Sequence, residues 1–394
     1  MDDVTTAPQP AASITEFSAG QGPRCGFRVD SGLLFDLDAE LLVYQPDGQR
    51  LQYFMGASGM DISWLPNGSY LLDCLSHGDW PVGSRLELIL RARSPEGMVE
   101  LCRSECPVEQ ALASSPHWRL SAAPGEPSLQ RLSWARGAGD WFSRHFDHAA
   151  RTVAYFLMKD HPLMRGEILD VGCGDGITDL GIALRKQPKR LVGVDPFRGY
   201  ERLPTILAEQ GLPVSVLNQP GLEFRPDDGN QLGVDDNSFD VVLSWGSLEH
   251  IAGGHEQTLN EIRRVLRPGG LFFAHPGLFY GSTGNHLNEF FDDPWIHLKL
   301  DRETLKQRVL AGKPDYIDRA GDDNPPSNYW RWYEELNPIT VEGFEKQMRA
   351  LDFEPWRFAL RTDPVVEYSR ELQPYSMTTL GISELYSVFV SRKA

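Results

Sequence analysis

A glycine-rich segment and one acidic residue carry the clearest chemical signal in the chain. The segment 170–176, DVGCGDG, follows an apolar run and precedes an amphipathic stretch, so it predicts a strand-to-helix turn. Glycines in such a turn let a ligand approach the backbone closely and leave amide groups open to it. Asp195 ends the next apolar run, where a carboxylate can accept hydrogen bonds from both ribose hydroxyls. The two features together predict a ligand that contains a ribose.

Two common nucleotide-binding motifs fit this segment less well. A dinucleotide fingerprint, G-x-G-x-x-G, needs a third glycine at position 177, where the chain has Ile177. A phosphate-binding P-loop ends in Gly-Lys-Ser/Thr, and the segment has no such ending.

Two histidines follow later apolar runs. His250 comes soon after the run 239–245, and His275 lies near the end of the run 270–276. Open α/β sheets bind ligands outside the carboxyl ends of their strands, so both histidines are expected on the ligand side. A histidine can remove the proton of an alcohol as a new bond forms to its oxygen. Both are therefore candidate catalytic bases, and a structural hydrogen-bonding role is the alternative for each.

The stretch 277–338 is long for a connection inside a compact domain, which predicts a substrate-covering insertion. Its first part is rich in groups that could bind a metal ion or act on a proton: His286, Glu289, Asp292, Asp293 and His297. His286 is the third candidate catalytic residue. The spacing fits no recognised metal-ligand pattern, so we predict no metal and expect solvated or hydrogen-bonded side chains. The aromatic run 329–333 could stack on sugar rings, although such clusters more often form core.

The elements that must position these residues alternate between strand and helix patterns. This alternation predicts a parallel, doubly wound α/β sheet within residues 139–394. The predicted strands are 167–172, 190–195, 213–218, 239–245, 270–276, 356–362 and 384–392, and the predicted helices are 140–159, 179–187, 201–210, 256–266 and 340–353.

The N-terminal third has a different character. Short β-like runs broken by Pro-Asp-Gly, Pro-Asn-Gly and Pro-Glu-Gly turns predict a small all-β sandwich over residues 23–110. Residues 1–22 are expected to be mobile, and the Ser-, Ala- and Pro-rich stretch 111–138 is expected to be a linker.

Charge and composition narrow the partners and the compartment. The net charge of −17 disfavours nucleic acid and anionic membrane surfaces as bulk partners. Five cysteines are thinly spread, which is typical of a reduced cytoplasmic protein without disulfides. The N-terminus has no signal-peptide pattern, and no apolar run approaches the ~20 residues of a membrane span. We expect a soluble, cytoplasmic protein, and the sequence leaves its oligomeric state open.

Taken in order, the motifs resemble those of class I S-adenosylmethionine-dependent methyltransferases. ILDVGCGDG and VGVDPF are similar to the first two family motifs, and LGVDDNSFDVVLSWGSLEHI and EIRRVLRPGGLFF to later ones. The resemblance implies a Rossmann-like seven-stranded sheet and S-adenosyl-L-methionine as cofactor. It also implies a set of cofactor contacts: Asp170, Gly172, Cys173 and Gly174 in the loop, Asp195, Pro196 and Phe197 on the ribose and adenine, Asp228 and Gly229 at the adenine edge, and Ser244, Trp245 and Gly246 near the sulfonium.

The acceptor is read from weaker similarities. The G-x-H-L…PW-x-H-L stretch is similar to one in methyltransferases of bacterial glycan biosynthesis, and the N-terminal part resembles the carbohydrate-binding domain of O-antigen export ATPases. These imply O-methylation of a sugar hydroxyl in a surface polysaccharide or its precursor, with peripheral association with a polysaccharide assembly complex. The alternatives are a small-molecule methyltransferase and a non-catalytic glycan-binding or regulatory protein that keeps a cofactor-binding fold.

Overall fold

The computed structural model describes most of the chain, and these residues form two compact units. The first unit comprises Met1–His148, Leu184–Gln187 and Pro204–Pro220, and the second comprises the remainder. The described residues are 11–19, 22–31, 33–55, 64–65, 67–74, 80–94, 97–110, 118–123, 141–159, 161–314, 324–363 and 365–392.

The first unit is built from antiparallel strands, as the turn-broken β pattern predicts. The strands are β1 (Ala11–Ser18), β2 (Arg24–Ser31), β3 (Leu34–Tyr44), β4 (Arg50–Met55), β5 (Trp64–Leu65), β6 (Gly68–Cys74), β7 (Arg85–Ser94), β8 (Gly97–Pro107) and β9 (Trp118–Ala122). One sheet has the order β1-β2-β6-β9, and the other has the order β4-β3-β7-β8 with β5 beside β3. Apolar side chains of both sheets share one core, which includes Phe27, Leu41, Tyr70 and Leu88.

Two of these strands lie where the sequence suggested irregular chain. β1 falls within residues 1–22, and its Ile14 and Phe17 pack against the shared core. β9 falls within residues 111–138, where Leu120 is buried in the same core. A few apolar side chains that complete a core are enough to order a segment whose overall composition is typical of loops. Except for β9 and Ala123, residues 111–138 lie outside the described part of the chain, as do residues 1–10.

A mixed sheet forms the centre of the second unit. Its strands are β10 (Glu167–Val171), β11 (Arg190–Val194), β12 (Leu222–Arg225), β13 (Phe239–Trp245), β14 (Leu266–His275), β15 (Phe353–Thr362) and β16 (Ile382–Ser391). The order is β12-β11-β10-β13-β14-β16-β15. β10 to β14 are parallel, but β16 is antiparallel to both of its neighbours, so the expectation of an all-parallel sheet is wrong at this edge. An antiparallel partner needs no crossover helix, and only a short helix lies between β15 and β16.

Helices cover both faces of this sheet. The described helices of both units are, in chain order, α1 (Trp141–Ser143), α2 (Ala150–Phe156), α3 (Ile177–Lys186), α4 (Leu203–Glu209), α5 (Glu256–Val265), α6 (Ile296–Lys299), α7 (Arg302–Ala311), α8 (Pro326–Glu334), α9 (Val341–Ala350) and α10 (Met377–Gly381), of which α1 and most of α4 belong to the first unit. α2 packs on the face that includes Ile168, and α5 and α9 pack on the face that includes Leu169 and Val171. This alternation along β10 follows from the two-residue period of a strand.

The predicted strand over 213–218 is wrong. Val214–Leu217 forms a 3-10 turn after Pro213, and Val214 is exposed. The third strand is β12, which begins after Gly221. Gly221 has φ +78°, and a Cβ there would lie 2.4 Å from the carbonyl oxygen of Lys189, so only glycine lets the chain enter beside β11.

The insertion 277–338 is partly helical rather than a simple loop. It contains α6, α7 and α8, which enclose a small core of their own. Tyr329 and Trp330 are buried in that core, so these two aromatic side chains fill space inside the insertion. Among the residues that the structure describes, no helix is both long and apolar enough to cross a membrane.

Two phenylalanines of the central sheet should contribute very differently to the free energy of unfolding. Phe272 on β14 is fully buried, whereas Phe358 on β15 is 69% exposed. We expect Phe272→Ala to lower the free energy of unfolding by about 3–5 kcal/mol, because it removes buried apolar area and leaves a cavity. Phe358→Ala should change it by no more than about 0.5 kcal/mol. Denaturant titration of the two variants beside the wild type measures the difference, and equal losses would contradict this assignment of the core.

Candidate functional site

The glycine loop between β10 and α3 is shaped by its neighbours. Gly172 has φ +84°, and a Cβ on it would lie 2.3 Å from the Cβ of Ser247, so no larger residue fits. Gly174 also has a left-handed backbone, with φ +54°, but a Cβ there would meet nothing within 4 Å. The loop therefore packs closely against Ser247 at Gly172, whereas the space beside Gly174 is open and can accommodate a ligand.

Asp195, just beyond the end of β11, is held firmly beside this loop. Its Oδ2 accepts a hydrogen bond from the amide of Gly174 (3.2 Å), and its Oδ1 accepts one from the amide of Phe197 (2.8 Å). Partial burial raises the pKa of Asp195, and the two amides counteract the rise. Pro196 is exposed and Phe197 is 90% exposed, so an aromatic ring stands uncovered next to a fixed carboxylate. That combination suits a ribose joined to an aromatic base.

The segment around Asp228 and Gly229 lies near the start of the same loop. A Cβ on Gly229 would lie 3.2 Å from both Val171 and Thr258, so this buried glycine sits beside the end of β10. Asp228 is exposed, and its Oδ1 accepts a hydrogen bond from the amide of Asn230 (2.8 Å). The two predicted adenine-edge residues are therefore close to the loop in space.

Two buried acidic residues lie next to the loop. The first motif includes Asp170, but no motif named Asp179. Asp170 and Asp179 are both fully buried. Burial raises the pKa of each, and the charge of Asp170 raises the pKa of Asp179 further. Both carboxyls therefore hold a proton to higher pH than an exposed aspartate does. Burial also raises the pKa of the Cys173 thiol, which fills space under the loop as a neutral side chain.

The last two residues of β13, Ser244 and Trp245, make different kinds of contact. The Ser244 hydroxyl is buried and hydrogen-bonded to that of Ser247 (2.6 Å), which in turn donates to the carbonyl of Val171 (2.7 Å). The Trp245 ring packs against His275 and Tyr386. The His275 ring stacks on Tyr386 at 4.3 Å, and its Nδ1 donates to the carbonyl of Leu385 (2.9 Å). His275 is thereby part of an aromatic stack, which favours a positioning role over a role as base.

The turn Leu248–His250 brings a second set of reactive groups together. The rings of His250 and His286 lie 4.8 Å apart, and the Nε2 of His286 lies 3.9 Å from the Oε1 of Glu249. Glu249 is 2% exposed. Burial alone would raise its pKa, but interactions with His286 and His250 and the amide of Gly277 outweigh burial and lower the pKa to about 2. We call Glu249, His250 and His286 the histidine–carboxylate cluster.

Two contacts from distant parts of the chain fix this turn. The amide of Asn337 donates to the carbonyl of Glu249 (2.7 Å), and its side chain donates to the carbonyls of Leu248 and Ile251. Gly277 lies against the Glu249 side chain, where a Cβ would come 2.7 Å from Oε1. His286 itself has φ +55°, an uncommon backbone conformation for this residue type.

A pocket of about 320 Å³ opens near the segments that flank the cluster. Its walls include Phe279, two residues after Gly277, and Leu336 and Pro338, which flank Asn337. His297 lies in the wall and donates from Nε2 to the carbonyl of Phe279 (3.0 Å). Burial lowers its pKa to about 4, so the ring is neutral near pH 7, and its Nδ1 is buried without a hydrogen-bond partner among the described residues.

Sequence reasoning named His250 and His286 but missed Glu249, Ser247 and Asn337. Glu249 precedes His250 directly in the chain, but the local sequence pattern does not predict that its carboxylate is buried. Asn337 lies far along the chain, and no local pattern connects it to the turn. Of the acidic and histidine groups in 289–297, Asp293 pairs with Lys299 (2.7 Å) instead of joining the cluster.

Comparison with known families agrees with this geometry. Residues 169–274, which run from β10 to the end of β14, match the family model described as Methyltransferase domain. The chain is an S-adenosylmethionine-dependent methyltransferase. The first two motifs, the seven-stranded order and the fixed Asp195 all belong to the part of this methyltransferase that resembles class I enzymes.

Several curated relatives of the methyltransferase have named functions. A ubiquinone biosynthesis O-methyltransferase of Azorhizobium caulinodans is 28% identical over 247 residues, which cover 59% of this chain and 78% of the relative. A demethylmenaquinone methyltransferase of Symbiobacterium thermophilum is 30% identical over 149 residues, which cover 36% of this chain and 52% of the relative. Among solved structures, an S-adenosylmethionine-dependent methyltransferase of Methanosarcina mazei aligns with a TM-score of 0.38 and 18% identity, covering 58% of this chain and 93% of that one.

The residues present fit S-adenosylmethionine. The space over Gly174 is open, the Asp195 carboxylate is fixed by two amides, and the Phe197 ring is uncovered. The cofactor is a cation, so the acidic surroundings favour it electrostatically. Asp195 would hold the ribose and Phe197 the adenine.

Asp195→Ala tests this assignment. Loss of a charged hydrogen-bond acceptor should weaken cofactor binding by about 1.5–3 kcal/mol, roughly 10- to 100-fold in Kd. Isothermal titration calorimetry with S-adenosylmethionine measures the effect. Asp235→Ala, which changes an exposed aspartate of the 226–238 segment, is the matched control and should bind as the wild type does. An unchanged Kd for Asp195→Ala would exclude Asp195 as the ribose ligand.

Asp179→Asn tests the buried acidic pair. A carboxyl group with a pKa raised by folding binds its proton more tightly in the native state, so stability is lost as the pH rises above its ordinary pKa of 3.8. Asparagine has the same shape and no such proton to lose. Between about pH 5 and pH 8, we therefore expect the free energy of unfolding to fall more steeply for the wild type than for Asp179→Asn. Urea titrations across that range measure this, with Asp235→Asn as control; parallel wild-type and Asp179→Asn profiles would show that the pair holds no such proton.

Proposed function

We propose that this methyltransferase transfers a methyl group to a hydroxyl of a small-molecule acceptor. The observation that carries the proposal is the histidine–carboxylate cluster, whose Glu249 and His250 lie in the turn that follows β13. Ser247 links this turn to the glycine loop, because it contacts Gly172 and Val171 and precedes Glu249 by two residues. Groups that handle a hydroxyl proton thus lie beside the residues that fit the cofactor.

The chemistry of an alcohol acceptor explains the cluster. When bound, S-adenosylmethionine supplies an electrophilic methyl group on a positively charged sulfur. An alcohol oxygen must lose its proton as its bond to carbon forms, and His250 and His286 can accept or stabilise that proton at a ring nitrogen. Because Glu249 stays ionised, its negative charge stabilises positive charge that develops on the neighbouring rings.

The pocket favours an acceptor with an apolar or aromatic part. Its lining includes Phe279, Leu300, Leu305 and Leu336 beside the charged Arg302 and Glu334. The names of the quinone-biosynthesis relatives support the same class of acceptor for this chain.

A sugar hydroxyl is the second candidate. The all-β first unit, with two antiparallel sheets around one core, is the observation that favours it, since the sequence resemblance implies a carbohydrate-binding domain there. Tyr329 and Trp330 give it no support, because both are buried in the insertion.

The decisive experiment follows a labelled methyl group. Purified protein and labelled cofactor are incubated with cell extract, which is then separated into small molecules, lipid-linked glycan, polysaccharide, protein and nucleic acid. We expect label in the small-molecule fraction, in a product that resists mild base as an ether does. Label confined to a glycan fraction would replace the proposal with the sugar candidate, and label confined to protein or nucleic acid would overturn both.

His250→Ala tests the role of the cluster. We expect methyl transfer to fall by about 10²- to 10⁴-fold, because the variant loses a group that handles the hydroxyl proton. Cofactor affinity should stay within about twofold, since His250 is not among the residues assigned to the ribose or adenine. His161→Ala, at the start of a 3-10 turn before β10, serves as the histidine control and should transfer methyl at the wild-type rate. Wild-type turnover in His250→Ala would remove the cluster from the mechanism.

A further inference from the structure

The atoms of the histidine–carboxylate cluster that could bind a metal ion lie close together in space. The potential ligand atoms of Glu249, His250 and His286 all lie within 4.8 Å of one another. The 3.9 Å between the Oε1 of Glu249 and the Nε2 of His286 is too long for a hydrogen bond. Two ligand atoms that each lie about 2.1 Å from one metal ion are roughly 3–4.2 Å apart, depending on the angle between them. The observed separation is therefore one that a shared cation produces.

Unsatisfied polar atoms point to the same conclusion. The Oε2 of Glu249 is buried and has no hydrogen-bond partner among the described residues, and the residue is 2% exposed. The Nε2 of His286 is also buried without a hydrogen-bond partner. A buried carboxylate oxygen without a hydrogen-bond partner is costly, and a cation between these atoms would satisfy both of them.

We infer that Glu249, His250 and His286 hold a divalent cation of the Zn²⁺ or Mn²⁺ class, which also binds two adjacent hydroxyl oxygens of the acceptor. Two imidazoles and one carboxylate suit such ions and leave coordination positions open. Two open positions select an acceptor with neighbouring hydroxyls, such as a catechol or a vicinal diol. This inference rests on the proposed function for the identity of the acceptor, but the cation site stands on the cluster alone.

The cation supplies what the reaction needs. It would withdraw electron density from the bound hydroxyl oxygen, so that the O–H bond breaks more readily. In this form of the site the ring nitrogens that bind the cation do not accept the proton, which passes to solvent. The O–CH₃ bond then forms as the carbon–sulfur bond of the methyl donor breaks, and that electron pair stays on sulfur. No oxidant or reductant is required.

The three residues of the cluster differ from the group of acidic residues and histidines in 286–297 that the sequence indicated as possible metal ligands. The density of acidic residues and histidines within 286–297 fits no recognised pattern, and of that group only His286 joins the cluster. His297 instead donates to the carbonyl of Phe279, and Asp293 pairs with Lys299. Glu249 and His250 come from the turn after β13, on the other side of β14 in the sequence. The expectation of no metal was drawn from a set of residues that the fold does not bring together.

Metal titration of the full-length chain tests the site directly. Protein stripped with a chelator is titrated with Co²⁺ and followed by visible absorption, and with Zn²⁺ by calorimetry. We expect one equivalent to bind, and Glu249→Gln and His286→Ala each to weaken that binding more than tenfold. His161→Ala should bind as the wild type does. Calorimetry with S-adenosylhomocysteine shows that each variant is folded, because its binding residues are separate from the cluster.

The outcomes distinguish the cation site from the proposed function. No stoichiometric binding by the wild type, or binding that survives both cluster variants, would overturn the inference. Methyl transfer that continues undiminished after chelation would overturn it while leaving the proposed function intact. Transfer that falls on chelation and returns with added Mn²⁺ or Zn²⁺ supports it. Cluster-dependent metal binding with label only in glycan keeps the cation site and rejects the small-molecule acceptor.

Discussion

The contact between Ser247 and Gly172 is the constraint on which the two parts of the site depend. The Ser247 side chain occupies the space that a Cβ at position 172 would need. Its hydroxyl donates a hydrogen bond to the carbonyl of Val171. The loop that fits the cofactor is thereby fixed against the turn that carries Glu249 and His250. Because both segments follow parallel strands that lie side by side, one small hydroxyl sets their separation.

The pKa values of buried carboxyl groups in this methyltransferase shift in opposite directions, and the neighbouring groups determine the direction. Burial raises the pKa values of Asp170 and Asp179, and the charge of Asp170 raises that of Asp179 further. Glu249 is as deeply buried, but two histidines and an amide surround it and its pKa falls. The first pair lies under the loop with raised pKa values, whereas the Glu249 carboxylate remains an anion beside two histidine rings.

Much of the second unit could be predicted from sequence because its signals are local. The run 239–245 is the observed strand β13, and the glycine loop and Asp195 lie together as the strand order requires. The prediction failed where a local pattern was overruled: the alternating segment 213–218 forms a turn, because the strand beside β11 starts only after Gly221. In the first unit, β1 and β9 were missed because a few buried side chains order segments of loop-like composition.

By itself, the sequence determined the cofactor half of the site, since glycines, an acidic residue and strand order act over short stretches of chain. Only the tertiary structure decided the acceptor half. His286 reaches Glu249 from the first part of the insertion, where its own backbone is left-handed. Asn337, at the far end of the insertion, bonds to the turn Leu248–His250. His275 has the same residue type and a similar strand-end position to His250, yet it stacks on Tyr386. Contacts between residues far apart in the chain depend on packing across β14 and the insertion, and no local pattern encodes them.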